Sequence, residues 1–504
     1  MCRSAARRAA TTLRAGARST CLAAALLLAA APVRDIGAQA PPADARGAAT
    51  PGTWAITDVD VVPMTSDTVL RAQTVVVRDG RIAAMGPSAR VAVPAGARRV
   101  DGRGRWLVPG LADAHVHLFA DGETPDSLAA DELGVMVANG VTAARIMIGT
   151  PEHLALRREI AAGRVLGPQL WVAGPQLTGR GGDNARIVTT PDSARAAVAA
   201  IAAAGYDFVK ITTALTRPVY DAIVDEAARR GIRVVGHVEG EVTLDRAFAA
   251  RQQVEHLDGY FEAALADSAP SRASLTQGGV FRLDNWRTID HVSDRKLDSL
   301  AGATARAGIW SSPTLVVFNS AFGTGQPDAE IRARPDFRLM PPALRDLYLR
   351  AGERYWSAAA AEVRTEARRR RYVEVRNRLV KAIADSGGRL LAGSDTPEWF
   401  HVYGFGLHRE LAALVAAGLT PYQALEAATR APAEFLGAAS EWGTIAPGRR
   451  ADLVLLAANP LADIANTTRI EGVAVGGRWM ERQELDAMVE RAARSVGMNE
   501  KSRN

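Results

Sequence analysis

Cysteine is almost absent from this chain of 504 residues, and its only two copies, Cys2 and Cys21, lie close to the N-terminus. Beyond the N-terminal region, no run of 18 or more uncharged apolar residues occurs. The body of the chain therefore has no disulfide framework and no thiolate ligand, and no membrane-spanning segment is expected in it. A metal site there must be built from histidine, carboxylate and lysine side chains.

The first forty residues have the pattern of an export signal. A stretch with five arginines precedes an apolar segment, 21–33, that is too short to span a bilayer, and a small-x-small cleavage site follows at 38–40. A pair of adjacent arginines leaves a twin-arginine route open, and a signal anchor is the alternative to cleavage. We expect a signal peptide at 1–40, a Pro-, Ala- and Gly-rich linker at 41–50, and an exported, periplasmic or secreted protein.

The high isoelectric point belongs mainly to this N-terminal segment. It holds six arginines and one aspartate, so the formal charge of +6 would fall to +1 without it. A nearly neutral mature chain has no basic footprint for nucleic acid. We therefore expect no nucleic-acid partner.

Strand-like segments occur near both ends of the mature chain. Short alternating apolar segments fill 51–109, with a hairpin signal at Asp79-Gly80, and the same texture returns at 441–482. These two parts predict one composite β-sandwich assembled from both chain ends. The remaining residues, 483–504, predict a C-terminal helix or tail.

The middle of the chain, 110–440, alternates apolar strands with helical stretches. Eight strand regions are predicted at 111–118, 140–148, 169–176, 207–213, 233–238, 254–258, 309–316 and 389–396. Eight strand–helix units in about 330 residues are typical of an α/β fold of the (β/α)8 TIM-barrel type. A helical insertion at about 320–385 either covers the barrel mouth or lies on the outer face.

His115 and His117 end the first predicted barrel strand, in the segment Asp113-Ala114-His115-Val116-His117. Side chains two residues apart on a strand point to the same face. Both imidazoles should therefore face the barrel interior at its carboxyl rim, where barrel active sites lie. Two imidazoles on one face can chelate a divalent cation.

Four further titratable residues fall at the carboxyl ends of predicted inner strands. They are Lys210, His237, His256 and Asp395. A buried ionisable group is costly unless it has a partner, and one shared metal cluster would provide a partner for all four. Of the other histidines, we expect His153 and His291 to be surface residues and His408 to be structural.

This set of residues resembles the two-metal members of the amidohydrolase superfamily. The segments Gly443-Thr444-Ile445-Ala446-Pro447-Gly448 and Gly418-Leu419-Thr420-Pro421 are also similar to that superfamily. The local sequence pattern most resembles that of imidazolonepropionase-like and prolidase-like members, which include Xaa-Pro and Xaa-Arg dipeptidases. The resemblance implies a homo-oligomer as an open alternative and a small-molecule amide or dipeptide as substrate.

The resemblance also implies a role for each matched residue. His115, His117 and Asp395 would bind the inner metal, and His237 and His256 the outer one. A carbamate formed on Lys210 would bridge the two divalent ions, with Zn2+ as the default for this ligand set. A hydroxide shared by the ions would attack an amide carbonyl, and Asp395 would move the proton to the leaving nitrogen.

Substrate contacts are predicted from loops and neighbouring strands. The candidates are Tyr260, Arg145, Arg180, Arg186 and His401. Tyr260 could donate a hydrogen bond to the scissile carbonyl or bind a carboxylate, and one of the arginines could clamp a substrate carboxylate. These expectations suit a dipeptidase or an N-acyl amino acid hydrolase.

Two other functions remain open on the sequence. A one-metal deaminase or cyclic-amidine hydrolase could use the same barrel, although position 240, where such enzymes commonly have a catalytic glutamate, is glycine. A non-catalytic binding protein could also retain the fold. Metal content and the effect of Asp395→Asn would separate these functions from an amide hydrolase.

Overall fold

The computed structural model describes most of the chain downstream of the predicted export signal. The predicted signal peptide 1–40 and linker 41–50 lie outside the described residues. The described residues are 52–118, 126–182, 184–238, 240–269, 283–324, 328–355 and 357–503.

The strands within these ranges are short, and most of them are buried. In chain order they are β1 (Trp54–Val61), β2 (Leu70–Arg78), β3 (Arg81–Pro87), β4 (Arg98–Asp101), β5 (Trp106–Pro109), β6 (Leu111–Val116), β7 (Val141–Ile146), β8 (Gln169–Val172), β9 (Gln176–Thr178), β10 (Ala185–Ile187), β11 (Phe208–Ile211), β12 (Arg233–Gly236), β13 (Gln253–Glu255), β14 (Trp310–Ser312), β15 (Arg389–Leu390), β16 (Leu453–Leu456), β17 (Ile470–Val475) and β18 (Arg478–Glu481).

Helices connect most of the central strands. They are α1 (Asp126–Ala138), α2 (Pro151–Ala161), α3 (Pro191–Ala204), α4 (Arg217–Arg230), α5 (Leu244–Ala249), α6 (Tyr260–Ala263), α7 (Asp294–Ala307), α8 (Leu315–Phe318), α9 (Asp328–Ala333), α10 (Pro342–Tyr355), α11 (Ala358–Val363), α12 (Glu366–Asp385), α13 (Phe405–Ala416), α14 (Pro421–Ala427), α15 (Arg430–Phe435) and α16 (Arg482–Arg503). Shorter 3-10 or π turns occupy Leu283–His291, Asn319–Thr324, Phe337–Leu339, Glu398–Phe400 and Ile464–Thr468.

Strands from both ends of the chain form one sheet. Its order is β18-β17-β16-β5-β1-β2-β3, with β4 beside β1. β16 pairs antiparallel with β5, so that Val454 lies opposite Val108. Inward-facing residues such as Ile56, Val75 and Leu455 pack together in an apolar cluster of their own. Main-chain hydrogen bonds thus hold the two chain ends against each other.

The middle of the chain is mixed α/β with parallel sheets. Each of the eight predicted strand regions contains a strand, and β6-β7-β8 form one sheet while β11 to β15 belong to another. Isolated parallel bridges connect these sheets at Ala173 with Phe208 and at Val116 with Thr396. Because neighbouring strands run parallel, their carboxyl ends, which hold the predicted ligands, meet on the same side.

Capping residues set the helix boundaries that return the chain to each next strand. At the start of α3, the Thr190 hydroxyl accepts a hydrogen bond from Ser193 N, and Pro191 occupies the first turn. The helix ends at Gly205, whose φ of +83° is a conformation that favours glycine. Three residues later the chain enters β11, which holds Lys210.

The helical insertion packs beside the carboxyl end of β14. Tyr372 of α12 is fully buried, and its ring lies 5.2 Å from Trp286 and 6.4 Å from Phe322. Phe322 belongs to the segment that follows β14 and faces the predicted site. Through Tyr372, the insertion therefore contacts a segment that lines the predicted site.

The C-terminal helix α16 packs against α1, with an ion pair of 3.0 Å between Arg491 and Asp131. None of the helices in the described ranges has the length and apolar character that a membrane crossing requires.

Candidate metal centre

His115 and His117 lie at the carboxyl end of β6, next to Asp395. His115 is fully buried, and its Nε2 atom lies 3.2 Å from Oδ1 of Asp395. His117 Nε2 lies 3.0 Å from the same oxygen, and the two imidazole rings are 5.2 Å apart. The structure thus brings three of the six predicted ligands together.

His237 and His256 extend this group of imidazoles. They directly follow β12 and β13, and their rings lie 4.8 Å apart. The His256 ring is also 4.7 Å from the His115 ring, and its Nδ1 atom lies 3.8 Å from Oδ2 of Asp395. The four histidines therefore form a continuous row, in which neighbouring rings are close enough for both to bind one metal ion.

A neighbouring oxygen forms a hydrogen bond with one ring nitrogen of two of these histidines. The pairs are His115 Nδ1 with Glu255 Oε2 and His256 Nδ1 with Thr314 Oγ1, each at 2.8 Å. Such partners fix the tautomer of a metal-binding histidine and leave its other nitrogen, here Nε2, free to coordinate. His237 Nδ1 lies 2.7 Å from Asp258 Oδ2, within ion-pair distance but without hydrogen-bond geometry.

Lys210 lies in β11 with only 1% of its surface exposed, and it borders the same cavity as the histidines. Burial lowers the pKa of its amine, although the charges of Glu255 and Asp395 oppose part of that shift. Among the described residues, no carboxylate lies within ion-pair distance of Lys210. A neutral, desolvated amine is the form that reacts with carbon dioxide, so the environment suits a carbamate.

Asp395 follows β15 in a constrained conformation. Its φ of +54° is uncommon for a residue with a side chain, and its backbone N–H donates to the carbonyl of His115 at 2.8 Å. Burial acts to raise the pKa of its carboxyl, but His115 and His117 outweigh it and lower the pKa to about 2. The carboxylate is therefore ionised at neutral pH and available as a ligand or a base.

Glu255 and Arg145 form a buried ion pair next to His115 that the sequence analysis did not predict. Glu255 Oε1 lies 2.7 Å from Arg145 Nη2, while its other oxygen accepts from His115. Burial acts to raise the pKa of Glu255, but Arg145 and His115 hold it well below its usual range. Arg145 is 2% exposed and also donates to Gln253. Arg145 was expected to contact substrate, but its guanidinium holds Glu255 and Gln253 and does not line the cavity.

Asp113 supports the opposite side of the centre. Its Oδ1 atom accepts from the backbone N–H groups of Ser394 and His115, at 2.9 and 3.2 Å. Burial raises the pKa of this carboxyl to about 7, although the bonds from Ser394 work against the shift. Asp113, Glu255 and Asp258 were all missed by the sequence analysis, and the one available signal was that each lies within two residues of a predicted ligand.

Tyr260 does not contact the site, contrary to the expectation. Its side chain is fully buried, and its hydroxyl lies 2.6 Å from Thr304 Oγ1 in α7. Burial raises the pKa of the phenol to about 12. Tyr260 is separated from His256 by a Gly259 turn with φ of +80°, and this turn directs the side chain into the packing between α6 and α7.

The remaining predicted substrate contacts also lie away from the cavity wall. Arg180 and Arg186 are exposed, and Arg180 Nε donates to Thr213 Oγ1 at 3.2 Å. His401 is 1% exposed, and burial together with the positive charges of Arg409 and Arg334 holds its pKa well below the usual range. None of these three side chains lines the cavity above the histidines.

His153 lines the cavity, although the sequence analysis did not place it in the site. It was expected at the surface, yet it is 1% exposed and lines the cavity. Its Nδ1 atom accepts from the backbone N–H of Thr150 at 3.0 Å, which places the ring proton on Nε2 in the neutral tautomer. His408, by contrast, lies between Thr467 Oγ1 and the carbonyl of Asn139, at 2.9 and 3.0 Å, as a structural histidine.

The cavity above the centre has a volume of about 350 Å³ and two kinds of wall. The polar lining includes Thr150, His153, Gln176, Asn184, Thr212 and Glu398. The apolar lining includes Leu118, Ile148, Val317, Phe318, Phe322 and Trp399. Among the residues that the structure describes, no guanidinium lines this cavity.

The donor set fits a divalent cation. Ligand atoms of His115, His256 and Asp395 all lie within 4.8 Å of one another. Within the described part of the chain, the buried Nε2 atom of His115 has no hydrogen-bond partner, while its Nδ1 is held by Glu255. A buried lone pair aimed at a carboxylate and a second imidazole is costly without a cation between them. The residues present therefore fit a metal.

Residues 106–480 match the model of the amidohydrolase family. The match covers well over half of the chain, so this protein belongs to the amidohydrolase family. Members of that family are metal-dependent hydrolytic enzymes that act on C–N bonds.

Individual relatives agree with this placement. A bottromycin amidohydrolase structure matches with a TM-score of 0.68 and 26% identity, over 88% of this chain and 91% of that one. A structure from Bifidobacterium longum, assigned as a prolidase, matches with a TM-score of 0.62 and 25% identity, over 88% and 100% of the two chains. An imidazolonepropionase of Cupriavidus pinatubonensis is 30% identical over 279 residues, which are 43% of this chain and 64% of that protein.

The chain spans less than two thirds of the length of the curated relatives that it matches. The predicted likeness to imidazolonepropionase-like and prolidase-like members is confirmed.

Proposed function

We propose that this protein is a metal-dependent hydrolase that cleaves an amide C–N bond, either in dipeptides or in N-acyl amino acids. The observation that carries the proposal is the setting of His115, whose Nδ1 is held by buried Glu255 while its Nε2 lies 3.2 Å from Asp395. That arrangement supplies oriented, ionised ligands at one end of a cavity of about 350 Å³. This volume is in the range of small-molecule sites.

The proposed scaffold is a closed (β/α)8 barrel made of β6 to β8 and β11 to β15. The two isolated bridges between the parallel sheets support closure. In such a barrel, residues at the carboxyl ends of different strands converge on one site, which is the distribution of the six predicted ligands.

We propose that two divalent ions, with zinc as the default, bind His115, His117, Lys210, His237, His256 and Asp395. Divalent ions lower the pKa of water toward neutrality and polarise a carbonyl oxygen. The burial of Lys210, with its lowered pKa and without an ion-pair partner among the described residues, supports a carbamate on this side chain. The proton transfer and the hydrogen bonds to substrate would come from side chains of the protein.

Asp395 is the proposed proton carrier. Its pKa of about 2 keeps it ionised, and its contacts with His115 and His117 hold it at the floor of the cavity. It would accept the proton of the attacking water and deliver it to the leaving nitrogen. On the polar wall, His153 presents an Nε2–H donor whose tautomer is fixed by Thr150.

A one-metal hydrolase is the second candidate, and one observation favours it. Ligand atoms of His115, His256 and Asp395 lie within 4.8 Å of one another, and this group combines residues assigned to different metals in the two-metal scheme. Such a set could hold a single ion. Metal analysis of the purified protein separates the two candidates, since one requires two equivalents per chain and the other requires one.

The proposed function is tested by supplying the full chain with Zn2+, Mn2+ or Co2+ and offering Xaa-Pro dipeptides, Xaa-Arg dipeptides and N-acyl amino acids. We expect turnover of at least one class, and its loss on chelation. Absence of turnover across this panel, with metal bound, would reject the amide-hydrolase proposal.

A further inference from the structure

Trp399 lies between two cavities. It lines the cavity of about 350 Å³ above the histidines, and it also lines a neighbouring cavity of about 330 Å³. The residue is four positions after Asp395, so the loop that holds the proposed proton carrier also holds this partition. The second cavity has no role in the function proposed above.

Aromatic packing fixes the Trp399 side chain on both sides. Phe322, in the wall of the metal cavity, lies edge-on with ring centroids 5.5 Å apart. Tyr348, in the wall of the second cavity, stacks with centroids 6.0 Å apart and an interplanar angle of 26°. The backbone of Trp399 has φ of +48° and ψ of +50°, an unfavourable conformation for a tryptophan that persists only when the surroundings enforce it. The indole is therefore held in a fixed position between the two cavities.

The second cavity has a cationic lining. Arg332 and Arg334 border it together with one acid, Glu353. Both oxygens of nearby Asp336 accept from Arg409, at 2.6 and 2.9 Å, and Arg334 has no ion pair within 4 Å among the residues that the structure describes. Burial lowers the pKa of Arg334 to about 10, which still leaves the guanidinium charged at neutral pH.

We propose that Trp399 determines substrate specificity by separating the metal cavity from the second cavity, which has the cationic lining. In the native chain its indole packs against a compact apolar group beside the scissile bond. Longer substrates are excluded, and an anionic end reaches Arg334 only when the indole is removed. This inference rests on the proposed amide hydrolysis, and it identifies the favoured substrates as short amides with an apolar flank.

The test uses the metal-loaded full chain and two matched amides. The first is a dipeptide with an aromatic side chain next to the scissile bond, and the second is the same dipeptide extended by a flexible spacer that ends in a carboxylate. For Trp399→Ala, the lost aromatic contact should lower kcat/KM on the short amide about tenfold, and the opened cavity should raise kcat/KM on the extended amide about tenfold, so that the long-to-short ratio rises about 100-fold. Trp399→Phe should retain most activity on the short amide.

A double variant tests the second cavity. Trp399→Ala combined with Arg334→Ala should lose the gain on the extended amide, while Leu347→Ala, a change at an exposed apolar side chain on α10, should match the native chain. The proposal would be overturned if folded Trp399→Ala lost the same fraction of kcat/KM on both amides. It would also be overturned if the long-to-short ratio of kcat/KM were the same in folded Trp399→Ala and Trp399→Phe as in the native chain. A native chain that hydrolyses neither amide would instead contradict the proposed function.

Discussion

Glu255 Oε2 lies 2.8 Å from His115 Nδ1, and both side chains are fully buried. The second oxygen of Glu255 is paired with Arg145 at 2.7 Å. The chain thus orients a metal ligand through a carboxylate that is itself held by a guanidinium. Because the Nδ1–H of His115 donates a hydrogen bond to Glu255, its Nε2 lone pair faces Asp395 and the cavity.

Glu255→Gln should weaken metal binding. The amide would no longer balance the charge of buried Arg145 or polarise His115, so metal affinity should fall by about 10- to 100-fold. Titration of the metal-free protein with Zn2+ in competition with a chelator measures this. Glu434→Gln, at an exposed position on α15, is the matched control, and equal affinity in both variants would contradict the role of Glu255.

Lys210→Met should change metal stoichiometry. If a carbamate on Lys210 bridges two ions, its loss removes a shared ligand, and bound metal should fall from about two equivalents per chain to about one or fewer. Because the methionine side chain fills a similar volume without a buried amine, the metal-free variant should be at least as stable as the native chain. Elemental analysis and thermal unfolding check the two results, and unchanged stoichiometry would exclude Lys210 as a ligand.

Asp395→Asn should abolish most activity. The amide has no ionised oxygen with which to accept a proton, so kcat should fall by a factor on the order of 100 to 10,000. Steady-state kinetics at saturating metal measure the loss. Asp385→Asn, at the exposed end of α12, is the control and should retain native kinetics, whereas a comparable kcat in Asp395→Asn would remove Asp395 from the proposed mechanism.

Glu410 should make stability depend on pH. It is fully buried and accepts from the backbone N–H groups of Leu315 and Val316, but burial dominates and raises its pKa to about 8 from 4.5. A raised carboxyl pKa means that the folded state binds more protons than the unfolded state between these values. The contribution of Glu410 to stability should therefore decrease as pH rises from about 4.5 to 8.

Denaturant unfolding between pH 5 and 8 measures this effect, with Glu410→Gln as the comparison because its side chain does not titrate. The native chain should lose stability relative to the variant as pH rises. A difference between them that stays constant across this window would show that Glu410 is not the titrating group.

The sequence predicted the strand positions well, because apolar runs separated by helix caps mark parallel strands directly. It also predicted which side chains end those strands, and the structure brings five of them, the four histidines and Asp395, into mutual proximity, with Lys210 in the same cavity.

Substrate contacts were less predictable, because they depend on where loops and side chains turn in three dimensions. Arg145 is on a strand next to the ligands, yet its guanidinium turns beneath them to reach Glu255, 110 positions away in the chain. Tyr260 follows His256 closely, but the Gly259 turn directs it to Thr304. His153 lies outside every strand end, and only the folded α2 brings it to the cavity. Pairings over such separations leave no local pattern in a single sequence.

The proposed two-metal site can be tested by anomalous diffraction from a metal-loaded crystal, recorded on either side of the absorption edge of the bound metal. Two peaks per chain are expected, one beside His115 and one beside His237, with the Lys210 side chain extended by a carbamate. A single peak, or peaks beyond ligating distance of Lys210 and Asp395, would contradict it.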